Sequence, residues 1–371
     1  MAQPTTLTSR ITRWVVPTIL AFTPLFFLPI TQDFYDTNKW MLLVILALVL
    51  LLGWLWSFAR TSLVSLSLRP STVGLGAITI AGFISLFIAS TNKVEAMLNP
   101  MGPLTFAALT VISLLSSGFW NSQTSRRLLW LLFTTAAVLG LVAVYQFAGV
   151  AKLMFPGVTF LVDRLWTPTG SVAATAAILT IVLPLLLAGI AEGRKHKQHT
   201  HLTILILMTL TVMAGLGITL WQLFPKLGTI LLSPREGWVV LLEILKAPRQ
   251  AIAGVGAENF LTAFTAGRPA RLNLSPLWTA RFATNSNLLF HITTIYGLMG
   301  AAAGIVFLKN IVATRKQKDA LFVSLCIALV SLLFTPPNLS LLIVITGLLI
   351  VSETGDNTPK HVQVPGWIGG S

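Results

Sequence analysis

The sequence predicts an all-α fold: a polytopic transmembrane helix bundle of about ten helices, with one long external loop that contains a short amphipathic helix. Three observations predict this fold class. Of the 371 residues, 55% are hydrophobic and only 10% are charged, whereas soluble domains carry roughly 25% charged residues. The mean hydropathy is +0.83. The apolar residues form continuous runs long enough for a spanning helix, not the alternating pattern of barrel strands.

The net charge of +14 does not indicate a nucleic-acid-binding protein. The basic residues are scattered through the segments between apolar runs and are not gathered in one soluble region. Such an excess in a membrane protein reflects topology and contact with anionic headgroups, which makes the lipid bilayer the expected partner. The single cysteine, Cys326, permits neither an intramolecular disulfide nor a cysteine-based metal cage.

The predicted helices follow ten apolar runs of about 15 to 24 residues, a length that suits the hydrocarbon core. The first run follows Arg10 and Arg13, as in a signal peptide, but no small-x-small cleavage site follows Ile30, so an uncleaved helix is expected. The predicted helices span residues 14–30, 40–58, 73–90, 103–120, 128–149, 171–190, 202–221, 287–308, 320–334 and 338–352.

Charge in the connecting segments predicts the orientation of the bundle. Alternate segments hold 14 basic residues on one side, and the short loops opposite hold only 4. Because short loops rich in Lys and Arg stay in the cytoplasm, both termini are expected there, and residues 222–285 form the long external loop. The polar tail, residues 353–371, is predicted to be disordered and cytoplasmic.

Acidic side chains are missing from every apolar run, since all 11 lie in loops or tails. Ion-coupled transporters usually bury an ionisable residue near the middle of the membrane, so this distribution argues against that class. His291 is the one ionisable side chain just inside a run. It is either a helix-end histidine bonded to a neighbour or part of a site.

The long loop contains a helix with a recognisable start. Ser233 is a suitable N-cap, Pro234 takes the first helical position, and Glu236 completes a capping box. Apolar residues then recur at helical spacing at Trp238, Leu241, Leu242 and Leu245. With Pro248 as the stop, we expect residues 233–246 to form an amphipathic helix across the external mouth of the bundle.

Further residues of the long loop are typical of a binding site. Arg235 lies in the first turn of the predicted helix, where a cation opposes the helix dipole, so it is either a solvated surface residue or kept for binding. Gly254 and Gly256 flank a valine, a pattern that suits a tight turn bringing backbone N–H groups close to an anion or another chain. The polar residues that follow are Arg268, Arg271, Arg281, Asn285, Ser286 and Asn287.

The order of these parts resembles the O-antigen ligase and polymerase family. The matching parts are Arg235, the short helix, the glycine turn between Pro248 and Phe260, the polar approach at Asn285–Asn287, and a helix carrying Tyr296-Gly297-Leu298-Met299-Gly300. Upstream, Asp163-Arg164, then Thr169-Gly170-Ser171 and an alanine-rich helix are similar to the family's arginine and glycine turn. The resemblance covers about residues 160–305.

The resemblance implies a multi-pass protein of the bacterial cytoplasmic membrane. In that family a glycan moves from a polyprenyl-diphosphate carrier to a hydroxyl acceptor (a lipid, a glycan or a protein) without a metal or nucleotide cofactor. Arginines hold the diphosphate leaving group, and a base takes the acceptor proton. By position, the resemblance implies catalytic roles for Arg235, Ser286 and His291, and substrate binding by Arg164, Arg235, Gly254, Gly256, Arg281 and Asn287.

One position departs from the family pattern. The family has a histidine directly before the asparagine at this helix start, and here Ser286 precedes Asn287. A serine hydroxyl is too weakly basic to act unaided as a general base. His291 lies roughly 140° around a regular helix from that position, so it could substitute only if the helix start is irregular. Two alternatives stay open: a homologue that binds lipid-linked glycan without transferring it, and an unrelated transporter or flippase.

Overall fold

The computed structural model describes residues 7–29, 33–60, 63–117, 120–197, 199–224, 230–275, 277–313, 319–355 and 360–365. Within these ranges the chain forms seventeen α-helices and a two-stranded sheet. The helices are α1 Leu7–Phe22, α2 Asp36–Arg60, α3 Pro70–Ile88, α4 Lys93–Leu98, α5 Pro103–Ser117, α6 Ser122–Phe147, α7 Val150–Met154, α8 Thr159–Val162, α9 Val172–Lys195, α10 His199–Gln222, α11 Pro234–Leu245, α12 Pro248–Ala253, α13 Phe260–Ala266, α14 Ala270–Asn273, α15 Leu288–Ala313, α16 Ala320–Phe334 and α17 Leu339–Ser352. The strands are β1 Leu63–Leu68 and β2 Lys360–Pro365, and 3-10 turns lie at Thr23–Leu25, Ala257–Asn259 and Glu353–Gly355.

Each of the ten predicted apolar runs overlaps one of the longer helices, which confirms the predominantly helical fold. In the described part of the chain, six helices (α2, α3, α6, α9, α10 and α15) are long and apolar enough to cross a membrane. The shorter apolar helices are α5, α16 and α17. The molecule therefore has the architecture of a multi-pass membrane protein.

The first helix and the tail differ from the prediction. α1 ends at Phe22 and not at residue 30, because Pro24 starts a 3-10 turn and cannot continue the helical hydrogen bonding. The sequence predicts a disordered tail from residue 353, but its described part includes the strand β2 at Lys360–Pro365. β2 pairs antiparallel with β1, with Val364 opposite Val64. Both segments alternate apolar and polar residues, the two-residue period of a strand.

The helix α17 forms the centre of the bundle, and all of its residues are buried. Its 14 residues span about 21 Å, less than the roughly 30 Å of a hydrocarbon core. Both ends are tied to other segments of the protein by side-chain hydrogen bonds. At one end Asn338 donates from Nδ2 to the Thr169 carbonyl (3.0 Å), and beyond the other end the Glu353 carboxylate accepts from the Ser71 N–H (2.8 Å). Because other helices surround it, α17 does not have to match the thickness of the bilayer.

Contacts between the connecting segments fall into two sets, as alternating crossings require. One set joins Lys39 to Pro168, Asn338 to Thr169, and Thr91 to Glu258. The other joins Ser71 to Glu353, Asn310 to Pro70, and Ser125 to Thr354. The described parts of residues 163–171, 230–287 and 335–338 belong to the first set, and together they are called the site face below.

Candidate functional site

The predicted amphipathic helix is confirmed as α11. Ser233 caps it, since its Oγ accepts the Glu236 N–H at 3.3 Å. The helix packs on the start of α15, where the Trp238 and Phe290 rings lie 5.4 Å apart. The buried stripe, however, is formed by Gly237, Val240, Leu241 and Ile244. Trp238 and Leu242, which were assigned to the stripe, are exposed.

α11 buries this face because Gly237, which lacks a side chain, lets the backbone of α11 approach α15 closely. A Cβ at this position would lie 2.5 Å from Ser286 Oγ and would overlap Asn285 Oδ1. Asn285 in turn donates from Nδ2 to the Gly237 carbonyl (3.3 Å) and to Thr294 Oγ1 (3.2 Å). The backbone of α11 therefore rests directly on the polar residues that precede α15, and Arg235 lies two residues away.

The three polar residues before α15 are buried and mostly bonded to their own chain. Ser286 donates its N–H to Asn285 Oδ1 at 2.7 Å, and its hydroxyl is 3.4 Å from the same oxygen. Asn287 accepts the Phe290 N–H at 2.8 Å and so caps the helix. The side-chain oxygen of Asn287, a residue expected to bind substrate, therefore caps the start of α15.

His291 is a helix-end histidine bonded to a neighbour, one of its two predicted roles. The side chain is buried, its ring lies 4.9 Å from the Phe260 ring, and its Nδ1 accepts the Asn285 N–H at 3.3 Å. The backbone before α15 is irregular, and irregularity at this helix start is the condition under which His291 could replace the family's histidine. Its Nδ1 nevertheless accepts a backbone N–H, and no hydrogen bond links His291 to Ser286 among the described residues.

The glycine turn contacts another segment of the chain and not an anion. The N–H of Gly254 donates to Gln250, that of Val255 to Thr294 and that of Gly256 to Ile295, at 2.7, 3.1 and 3.1 Å. Both glycines have positive φ angles, 76° and 88°. Their N–H groups are therefore engaged, and the expectation that Gly254 and Gly256 offer them to a substrate does not hold in this geometry.

The turn fills a break in α15. Gly297 has φ 69° and ψ −161° inside the helix, so the carbonyls of Thr294 and Ile295 lose their regular helical partners. The N–H groups of the glycine turn replace them, and Ser85 also donates to the Ile295 carbonyl at 2.9 Å. Because Gly297 lies in an apolar run, average hydropathy alone did not predict this break.

The three arginines assigned to substrate are exposed on the site face. In the described part of the chain, the side chains of Arg164, Arg235 and Arg281 form no hydrogen bond or ion pair. Arg164 lies where α6 and α10 end, since a Cβ at Gly149 would be 3.8 Å from its Nη2 and Gln222 donates to its carbonyl at 3.0 Å. No contact joins Arg164 to Arg235 among these residues.

Two residues that the sequence did not single out hold the turn after Arg164. Lys39 is fully buried and donates from Nζ to the Pro168 carbonyl at 2.8 Å. Tyr35 packs so closely on Gly170 that a Cβ there would lie 2.7 Å from its ring. Burial raises the pKa of the Tyr35 phenol above its ordinary value. Lys39 is one of the four basic residues counted in the short loops on that side, but it lies inside α2.

Fold and site together define a multi-pass membrane protein in which an amphipathic helix and a glycine turn pack on the start and the break of one spanning helix. Among the described residues, no group of three or more His, Cys, Asp or Glu side chains could hold a metal ion. No protein-family model matches the chain, and no curated protein or solved structure is significantly similar to it.

Proposed function

We propose that this chain is an envelope glycosyltransferase of the O-antigen ligase or polymerase type. What supports the proposal is the packing of three family-like segments of the site face against one another. The helix α11 with Arg235 rests on the start of α15, and the turn at Gly254–Gly256 binds the break at Gly297. The segments that follow the family's order in sequence therefore also pack on one helix.

The reaction is the transfer of a glycan from a polyprenyl-diphosphate carrier to a hydroxyl acceptor. The acceptor oxygen attacks the anomeric carbon, the bond between that carbon and the phosphate oxygen breaks, and the diphosphate leaves with the electron pair. Arg164 and Arg235 would neutralise the diphosphate, since the guanidinium fork suits two phosphate oxygens at once. Both side chains are exposed and lack protein partners in the described part of the chain, so they are available for this role.

Transfer also needs a group that takes the acceptor proton, and both Ser286 and His291 are buried. Ser286 is 2% exposed, and Nδ1 of His291 already accepts a backbone N–H. This observation favours a second candidate function, in which the chain binds lipid-linked glycan and does not transfer it. The two functions share the diphosphate site and differ only in the chemical step.

Binding of a polyprenyl-diphosphate glycan to the purified protein tests the shared site. Arg164→Ala and Arg235→Ala should each weaken binding by about 2 to 5 kcal/mol if the charged contact is desolvated. Arg164→Lys and Arg235→Lys should restore little, because the charge returns without the bidentate geometry. Lys246→Ala is the matched control, since Lys246 is exposed on the same helix as Arg235 but pairs with Glu243.

Equal affinity of wild type and both alanine variants, all correctly folded, would remove the diphosphate site and with it both candidate functions. A transfer assay with the same donor and a hydroxyl acceptor separates the two. Transfer supports the glycosyltransferase, and tight binding without transfer supports the binding protein. Transport of a solute without donor binding would support the transporter reading instead.

A further inference from the structure

A short segment of the site face directs two large apolar side chains away from the protein. Leu274 is 91% exposed and Trp278 is 66% exposed. They lie in consecutive tight turns between α14 and Arg281, in which Leu274 donates its N–H to the Arg271 carbonyl and Trp278 to the Ser275 carbonyl. Leu274 and Trp278 are called the apolar tip below. Such exposure is unfavourable in water, so contact of these side chains with lipid or protein would lower their free energy.

The apolar tip is held in place by a built support. The Arg268 guanidinium donates to the carbonyls of Leu277, Trp278 and Ala280 at 2.9, 2.7 and 3.1 Å. Leu272 is buried, and Leu277 packs against the core. The same turns that point these two leucines inward therefore point the apolar tip outward.

The charged residues of the segment that carries the apolar tip are all basic, and Glu243 of α11 packs against Gly267 on its inner side. Arg271 and Arg281 are exposed beside it, and in the described part of the chain their side chains form no hydrogen bond or ion pair. No Asp or Glu occurs anywhere between Glu258 and Asp319. A tryptophan and a leucine between unpaired arginines have the chemistry of a protein segment at a lipid surface, where the apolar groups enter the headgroup layer and the cations contact anionic lipid.

The position of the segment agrees with this chemistry. Phe282 packs on Phe264 with 5.5 Å between the ring centroids, and the spanning helix α15 begins at Leu288, six residues later. A Cβ at Gly267, next to Arg268, would lie 3.2 Å from Glu243 Cβ of α11, and α11 rests on the residues just before α15. The segment that holds the apolar tip is therefore packed at the end of the bundle where α15 begins.

We propose that Leu274 and Trp278 insert into the lipid headgroup layer beside α15, with Arg271 and Arg281 bound to anionic lipid. The insertion holds the site face, including α11, at the depth of the headgroups. The proposal does not depend on glycan transfer, and it requires only that α15 spans the bilayer.

The test uses the full chain in proteoliposomes, with Cys326→Ser to remove the native thiol and an environment-sensitive fluorophore on Leu274→Cys. The probe should emit at shorter wavelength than in water and should be quenched by lipids that carry a headgroup nitroxide. Asn273→Cys is the matched control, because the neighbouring Asn273 is exposed but polar. Lipid quenching no stronger at position 274 than at 273 would overturn the insertion.

The arginines are tested with vesicles of phosphatidylcholine with and without phosphatidylglycerol. Arg271→Gln and Arg281→Gln should each lower the inserted fraction relative to the free fraction about fivefold, and only in the anionic vesicles. An unchanged fraction in anionic vesicles would overturn the lipid-charge contact. Energy transfer between copies labelled with donor and acceptor, without lipid quenching, would assign the tip to self-association and overturn the proposal.

Discussion

Gly237 determines how closely α11 approaches α15. An alanine Cβ there would overlap the Asn285 side chain and lie 2.5 Å from Ser286 Oγ, so the polar residues before α15 would have to move. We expect Gly237→Ala to lower the free energy of unfolding by about 1 to 3 kcal/mol, as overpacking does. The measurement is thermal unfolding of the detergent-solubilised protein, followed by donor binding.

Gly217→Ala is the matched control for this glycine. Gly217 lies within α10, and a Cβ there meets nothing within 4 Å. Alanine is the better helix former by about 1 kcal/mol, so the control should be neutral or slightly stabilising. If both variants unfold at the same temperature as wild type, the close packing of α11 on Asn285 is wrong.

For single residues, the sequence predicted which residues are structurally important better than it predicted which groups they contact. The N-cap at Ser233 was predictable because the capping box is local, and its hydrogen bond is observed. The partner of His291 was not, because the Asn285 N–H reaches Nδ1 only through the irregular backbone before α15. Gly237 carried no signal, since its role depends on a segment 48 residues away.

The break in α15 is the main feature at the scale of elements. Gly297 has φ 69°, and a Cβ there would overlap the Ile252 carbonyl and lie 2.6 Å from the Gly254 nitrogen. Gly297→Ala should therefore destabilise the protein by more than about 2 kcal/mol, since backbone strain and overlap add. Gly217→Ala again serves as control, and the readout is the yield of monodisperse protein together with its unfolding temperature.

A Gly297→Ala protein as stable as wild type would mean that α15 is continuous. The glycine turn would then lose the carbonyls of Thr294 and Ile295 as partners for its N–H groups. The sequence predicted this turn because two glycines flank Val255. It did not predict the partner, because a period-based reading treats the apolar run around Gly297 as one unbroken helix.

At the scale of the whole molecule, hydropathy was sufficient to find all ten long helices, since apolar length is a direct requirement of the bilayer. Hydropathy did not reveal that α17 is the central helix with all its residues buried. A helix that is apolar all round has the same composition whether lipid or protein surrounds it. Hydropathy also did not predict that β1 pairs with β2, because the two strands are nearly 300 residues apart.

The orientation of the bundle in the membrane remains a prediction, and the two sets of loop contacts define the positions that test it. α10 connects the end of α9, at Lys195, to the face that carries α13 and Thr265, so the two positions should lie on opposite sides of the membrane. The excess of basic residues, 14 against 4 in the short loops, predicts that Lys195 is cytoplasmic and Thr265 external. Reporter fusions at these residues measure both in cells. A reversed pattern at both positions would keep the fold and place Arg164 and Arg235 in the cytoplasm, out of reach of an outer-leaflet donor. The same side for both would contradict the crossing by α10, and with it the alternation on which the site face is defined.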